Sequence, residues 1–492
     1  MTASAAADRA LAAGAAAIVE GLRKGLFQRA DVVAASRRRL AAAAGLNALV
    51  QACDGDAPEL ASGGDVAAGG LAGVPVSVKE CFPVRGLLTT LGIPSRRGPV
   101  DATDADVVQR LRRAGAVIVG KGNVPEAMYL HETANPVWGR TVHPLDPGRS
   151  PGGSTGGDAA LVAAGVVPLA VGTDLAGSLR QPAHACGLST IMPRSAVLGE
   201  GGAFDTVPSL TTVRPRAGFL ARNVADLALA LEATGGARSV APRLPERIAW
   251  WEETGPIPAA SAVRRGVHEA VSRLARRGIQ TVRVPATVAV DASWLLLGIL
   301  SADGGADIRA LYERGRPGRG VARLLSIAGF PPRWRPALAA VLRLVGRGIE
   351  AEGVRRTGWR TPEGRAALEA ERERLARRYA DLVDGCDAAI CPVSALPAMR
   401  HGAAARLVLA AGPCLLANLL DLPAGAVPIT AVRLTEQRRR ISLDPVLRAA
   451  AATDRGSAGL PIGVQVVGSP GRDEATVLEV MRLLTLPETT PP

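Results

Sequence analysis

The sequence predicts an α/β fold, a large sheet covered by helices, on three observations. Strand-like and helix-like patterns alternate along most of the chain. Nearly half of its 492 residues are apolar, enough for a large core. No boundary between the alternating series is rich enough in linker residues to mark off a separate unit. Length alone would admit two or three domains. Without such a linker or an internal repeat, one domain over 1–492 is expected.

The elements follow in order. Residues 8–44 repeat apolar positions at helical spacing through "AAAIVEGLRKGLF" and "ADVVAASRRRLAAAA", which predicts a helical pair. "CDGDAPELASGGDVAAGG" is a loop by composition. In "LAGVPVSVKECF", Val74, Val76 and Val78 alternate with Pro75, Ser77 and Lys79, a strand with Lys79 on its less apolar side. "ATDADVVQRLRRAG" reads as a helix capped by Thr103 or Asp104 and leads into the strand "AVIVGK". "AALVAAGVVPLAVG" repeats that rhythm, as do "AVRRGVHEAVSRLARRG" with "IQTVRV" and "LPIGVQVVG" with "DEATVLEVMRLL".

Residues 303–385 depart from the alternation and are nearly all helical in pattern. Two short amphipathic helices stand out there, with Val321, Leu324, Leu325 and Ala328 in one and Leu338, Val341, Leu342 and Val345 in the other. Pro331 and Pro332 divide them. Their Arg-rich polar faces suit either helices that pack on a core or a surface meeting a membrane or a hydrophobic substrate.

Composition excludes several classes of function. The formal charge is +13, but the excess is arginine spread along the chain, with no aromatic interleaving and no nucleic-acid-binding motif. No nucleic-acid partner is expected. Neither a secretory leader pattern nor an apolar run long enough to span a bilayer occurs, so a cytoplasmic location is expected. Six scattered cysteines without a C-x-x-C pair read as reduced thiols. The five histidines show no metal-ligand spacing, so neither a metal nor another cofactor is expected.

Chemistry concentrates in "SPGGSTGGDAALVAAGVVPLAVGTDLAGSLRQP", which holds two glycine-flanked serines, Ser154 and Ser178, with no histidine between them. A serine nucleophile needs a base within hydrogen-bond reach and donors for the developing oxyanion. His184 lies nearby in sequence but in no triad signature. Lys79 sits in an apolar strand, where desolvation lowers an ammonium pKa toward the range of a general base. A buried lysine held by a carboxylate is the competing reading of Lys79, and the residues alone leave both open. The glycines would let the amides of Leu175, Ala176, Gly177 and Ser178 converge on an oxyanion.

The ordered set "GVPVSVKECF", "VGKGNVPEAM", the stretch above and "GLPIGVQVVG" resembles the amidase signature family from about residue 15 to 485. "NVPEAMYLHETANPVWGRTVHP", "SADGG" and "LLDLPAGAVPITAV" look most like its fatty acid amide hydrolase-like serine amidases. The resemblance implies one mixed, twisted sheet covered on both faces by helices. It also implies an N-terminal helical part over about 1–70, a signature core over about 71–240 and a helical cap inserted at about 303–385. It implies a Ser–cis-Ser–Lys triad of nucleophile Ser178, relay Ser154 and base Lys79, with the cis bond following Gly153. The oxyanion would rest on the amides of residues 175–178. Asp174 and Arg180 would hold the nucleophile loop, Thr155 stands where a second serine is more usual, and Met128 and Tyr129 would line the acyl pocket.

The partner so implied is a small, hydrophobic N-acyl amide, with peripheral membrane contact through about 319–348 and a homodimer as one assembly. Three alternatives share the signature: a glutamine-hydrolysing tRNA amidotransferase subunit, an acyl transferase using the same acyl-enzyme, and an inactive binding protein. The chain leaves the family pattern at Leu175-Ala176 and at Met192, where lysine is usual. If residue 176 requires positive φ, alanine there costs about 1 kcal/mol.

Overall fold

In a computed structural model that describes residues 2–53, 70–235, 243–313, 315–440 and 442–487, eleven strands join edge to edge in one mixed sheet. The chain opens with helices α1 (Ala3–Ala13), α2 (Ala15–Arg23) and α3 (Arg29–Ala42), then β1 (Leu49–Ala52) and β2 (Pro75–Lys79). It continues through α4 (Asp106–Arg113), β3 (Val117–Gly122) and a two-residue ribbon of β4 (Ala134–Asn135) with β5 (Gly139–Arg140). Next come α5 (Gly156–Ala163), β6 (Leu169–Asp174), α6 (Arg180–Cys186), β7 (Ser189–Met192), α7 (Ser195–Leu198), β8 (Arg216–Ala221) and α8 (Val224–Ala233). The second half begins with β9 (Arg247–Trp250), α9 (Ser261–Arg276), β10 (Gln280–Arg283) and α10 (Thr287–Leu300). The helical stretch holds α11 (Ala306–Ala310), α12 (Arg319–Ala328), α13 (Arg335–Leu344), α14 (Gly348–Arg356) and α15 (Pro362–Leu382). The chain closes with β11 (Ala388–Pro392), α16 (Leu415–Leu419), β12 (Ala424–Ala431), α17 (Pro445–Asp454), β13 (Pro461–Gly468) and α18 (Glu474–Thr485).

The strand order is β1-β3-β2-β6-β8-β7-β12-β13-β11-β9-β10. β2 runs parallel to both β3 and β6, β9 parallel to both β10 and β11, and the strands between these trios are antiparallel. Alternate residues feed two apolar clusters: Leu169 and Val171 of β6 enter one, Ala170 the other. Both faces are therefore buried, as in α/β sheets covered twice.

Four expectations change. The N-terminal part has three helices rather than a pair, because α1 begins at Ala3 and Gly14, at φ 131°, separates it from α2. The cap residue of α4 is Ala105, not Thr103 or Asp104. Asp104 instead accepts the Arg85 amide and pairs with Arg112. β2 has no exposed side, since all five of its residues are buried, Lys79 included. In α13, Leu342 packs against α14, but Val341 and Val345 of the expected apolar stripe face outward. The loop expected over 53–70 lies, apart from its ends, outside the described residues.

Candidate active site

β2 and β6 are parallel neighbours, Val78 opposite Val171, so their carboxyl ends bring Lys79 and Asp174 to the same edge of the sheet. Open α/β sheets place their sites at this edge. After β6 the chain turns through Leu175–Leu179 into α6. The loop carrying Ser154 precedes α5, and its Thr155 amide donates to the Ser178 carbonyl at 3.1 Å. One backbone bond thus holds the two serine loops side by side.

Ser154 is buried, and its Oγ lies 2.7 Å from Lys79 Nζ. Nζ also contacts Thr173 Oγ1 at 2.7 Å and the Thr173 carbonyl at 3.3 Å. Burial lowers the lysine pKa, against the opposing pull of Cys81, Asp158 and Asp174. Glu80, next in sequence, turns away to accept from the amides of Thr90 and Leu91. The carboxylate-paired reading of Lys79 thus loses its nearest candidate. His184 is no competitor either: Nε2 donates to the Leu396 carbonyl, and Nδ1 accepts the Gly463 amide.

The Gly153–Ser154 peptide is cis. Gly153 is pressed against residues 130–132, where a Cβ would lie 2.8 Å from the Leu130 carbonyl oxygen and 2.9 Å from the Glu132 nitrogen. A larger residue has no room there. Its amide donates to Gln181 Oε1.

Asp174 and Arg180 form a fully buried pair at 2.8 Å beneath the nucleophile loop. Asp174 also accepts the amides of Gly177 and Leu179. Burial alone would raise the Asp174 carboxyl, but the guanidinium, Asn418 and the loop amides hold it well below the usual carboxylate range. Arg180 reaches on to the Cys414 carbonyl, Gln465 and Asn418. A backbone donor at Gly177 is therefore spoken for, while those of Leu175, Ala176 and Ser178 have no hydrogen-bond partner among the described residues. Positive φ falls on Gly177, at 98°, and not on Ala176, so the alanine substitution carries no such penalty. Met192 is buried in β7, its Sδ 3.4 Å from Asn418 Nδ2.

Ser178 borders a cavity of about 420 Å³, also lined by Met128, Tyr129, Leu175 and Ala176. Leu297 and Leu300 of α10, Leu324 and Ile327 of α12 and Leu409 complete a mainly apolar wall. Neither Ser154 nor Lys79 reaches it; both are buried. Ala127 and Met128 both adopt left-handed backbone, φ 54° and 55°, an uncommon state for side-chain-bearing residues and one found at sites held by their surroundings. Burial pushes the Tyr129 phenol up to about 12.

Three contributors escaped the sequence reading. Thr173 binds Lys79 twice, yet lies beside Asp174 in an unremarkable strand. Asn418 had a usable cue, a lone amide within the apolar run "LLANLL". Asp158 is fully buried against Gly122, with no cation among the described residues in contact with its carboxylate and the Ser77 hydroxyl beside it. Burial pushes its carboxyl up to about 7, with the Ser77 hydroxyl and then Lys79 pulling the other way.

The family model described as Amidase matches residues 31–477. Fatty-acid amide hydrolase 1 of Sus scrofa is 31% identical over 445 residues, covering 84% of this chain and 76% of that protein. Fatty acid amide hydrolase 1 of Caenorhabditis elegans is 28% identical with the same coverage. A solved fatty acid amide hydrolase superimposes with a TM-score of 0.83 at 19% identity, over 96% of this chain and 85% of that one, a likeness of fold.

Proposed function

Because the chain belongs to the amidase signature family and is a hydrolase acting on amides, we propose that it cleaves a hydrophobic N-acyl amide through an acyl-enzyme on Ser178. The observation that carries this reading is the 2.7 Å contact between buried Lys79 and buried Ser154, whose loop is tied through the Thr155 amide to the carbonyl of Ser178, a serine that opens on an apolar cavity. A neutral amine has two N–H donors and one lone pair. Nζ donates to Ser154 Oγ, Thr173 Oγ1 and the Thr173 carbonyl; on losing a proton it would keep both donors on Thr173 and turn its lone pair to the Ser154 hydroxyl.

In this reading Ser154 takes the proton of Ser178 and passes its own to Lys79 while Ser178 attacks the carbonyl. The amides of Leu175, Ala176 and Ser178 stabilise the oxyanion, and the relay returns a proton to the departing nitrogen. Water then frees the acid. Asp174 and Arg180 keep the loop in place, Gly153 and Thr155 set the relay serine beside it, and Met128 and Tyr129 receive the acyl chain. The whole chain acts as one amidase domain in this reading, supported by the continuity of the sheet from β1 to β10.

The cap supports contact with a lipid surface. Trp334, Val341, Leu344 and Val345 are all more than half exposed, Leu344 at 87%, among arginines. No helix among the described residues is long and apolar enough to cross a membrane, so the contact is peripheral. A glutamine side chain, short and polar, would leave most of the apolar wall unfilled, which disfavours the amidotransferase reading.

The test is hydrolysis of N-acyl amides graded by chain length. kcat/KM should rise with chain length, and Ser178→Ala should lower turnover by about 10,000-fold or more while the protein stays folded. Preference for short acyl groups would defeat the lipid-amide reading, and undiminished turnover by Ser178→Ala would defeat the mechanism.

A further inference from the structure

His131 belongs to none of the roles above, yet its ring sits beside the chemistry. It lines the same cavity as Ser178 and is electrostatically coupled to Asp174, Arg180 and Lys79. Its Nε2 lies 3.1 Å from the carbonyl oxygen of Ala176, two residues before the nucleophile. A carbonyl only accepts, so Nε2 carries the hydrogen and donates it. In a neutral imidazole this fixes the tautomer and leaves Nδ1 as an acceptor with a free lone pair. Burial pushes the ring down to about 4, so the neutral form prevails at ordinary pH. Nδ1 has no hydrogen-bond partner among the described residues, and it is not one of the side-chain nitrogens sealed from contact in the interior. An acceptor on a ring that lines the nucleophile's cavity, anchored through its other nitrogen and bare of a donor, invites one from the substrate.

Resting on the amidase reading above, we propose that His131 Nδ1 accepts the N–H of the scissile amide and so selects substrates that carry one. The chemistry gives this acceptor a purpose. As Ser178 adds to the carbonyl, the amide nitrogen loses conjugation and becomes pyramidal, and its new lone pair must point at the proton donor before the C–N bond can break. A hydrogen bond from N–H to His131 fixes the nitrogen's other substituent and turns the lone pair toward the Ser154 relay. The proton from Ser178 travels through Ser154 to Lys79 and returns by that route to the nitrogen, while the C–N electron pair leaves with the amine; His131 gains and loses no proton. An ester oxygen keeps lone pairs on offer in any orientation, so it needs no such acceptor. The assignment therefore names a substrate class, primary and secondary amides, and a residue that separates them from tertiary amides and esters.

The test compares three compounds with one long acyl chain: a secondary amide, its N-methyl tertiary amide and the corresponding ester. Wild type should favour the secondary over the tertiary amide by at least about 30-fold, an N–H-dependent discrimination of about 2 kcal/mol. His131→Phe should lower kcat/KM for the secondary amide at least about 10-fold and change that for the ester by less than about threefold. His131→Gln, which retains both a donor for Ala176 and an acceptor, should recover part of the loss. Labelling of Ser178 by a fluorophosphonate reports whether the nucleophile loop survives in each variant, independently of amide turnover. An equal loss on amide and ester, or slow labelling of His131→Phe, would reduce His131 to a prop for the loop and overturn the proposal, as would no loss at all. Amide turnover that persists in Ser178→Ala would instead overturn the amidase reading on which it rests.

Discussion

The floor of the site and its cap are built on opposite terms. Beneath Ser178, Asp174, Arg180, Asn418 and Gln465 are buried and tied to one another or to backbone, and Lys79 Nζ donates to Ser154 Oγ, Thr173 Oγ1 and the Thr173 carbonyl. Above it, α12 buries only Val321, Leu325 and Ala328, and α13 only Ala339, Leu342 and Arg335, whose guanidinium donates to carbonyls of α12, α14 and the turns beside them. Large apolar groups there are left in solvent. Each buried aliphatic side chain is worth about 1.5–3 kcal/mol, whereas a buried charge stripped of its partner costs more than one such contact returns. Chemistry is thus fixed by a network that tolerates no loss, and substrate is met by a surface that can vary. One carboxylate breaks the rule for the floor: Asp158, as buried as Asp174 but without its partners.

The contrast can be broken at its strongest point first. Lys79→Met should reduce amide turnover about 1,000-fold or more. In the proposed relay the working form is the neutral amine, and burial lowers the lysine pKa, so wild-type kcat/KM should fall as pH drops through that lowered value. The residual activity of Lys79→Met should lack this acid limb, and a limb that survives assigns it elsewhere. Next, Arg180→Met leaves Asp174 buried and unpaired and should cost about 3–5 kcal/mol in denaturant unfolding at 25 °C. Adding Asp174→Asn should restore part of that loss; a double variant no better than the single would show that the pair is not what holds the loop.

Asp158 gives a smaller, signed effect. Its carboxyl titrates near 7 when folded and near 4 when unfolded, so the stability of the protonated form is present below about pH 4 and lost as pH rises through 7. Asp158→Asn should therefore raise the Tm relative to wild type at pH 8.5, by about 2 °C, and change it less at pH 5. Equal shifts at both pH values would show that the carboxyl does not titrate in this window. Least of all is the cap. Leu344→Glu should leave hydrolysis of a short soluble amide unchanged and lower that of a long-chain amide in anionic vesicles about 3- to 10-fold.

Much of this was legible in the residues. Alternation of apolar patterns located the strands around Lys79 and Asp174, because local periodicity reflects burial on sheet and helix. The glycine-flanked serines and the strand lysine pointed to the chemistry, and resemblance supplied their order of action. What periodicity misjudged was context: β2 has neighbours on both faces, so its alternation does not mark a wet side, and the stripe on α13 is only half covered, by α14 and Ile327 of α12. Asn418 and Gln465, more than 230 residues beyond Asp174, meet Arg180 only through the order β8-β7-β12-β13, which no local pattern encodes.

That long reach of Arg180 has a consequence for biogenesis. Its partners Cys414, Asn418 and Gln465 arrive late in synthesis, so a nascent chain that has emerged through residue 400 already holds Lys79, Ser154 and Ser178 but not the acceptors that complete the hydrogen bonding of Arg180 beneath them. Translation runs from the N-terminus at about 5–20 residues per second, and contacts between distant segments form last. The enzyme should thus stay silent on the ribosome and in C-terminally truncated products, with hydrolysis appearing only when β13 completes the sheet.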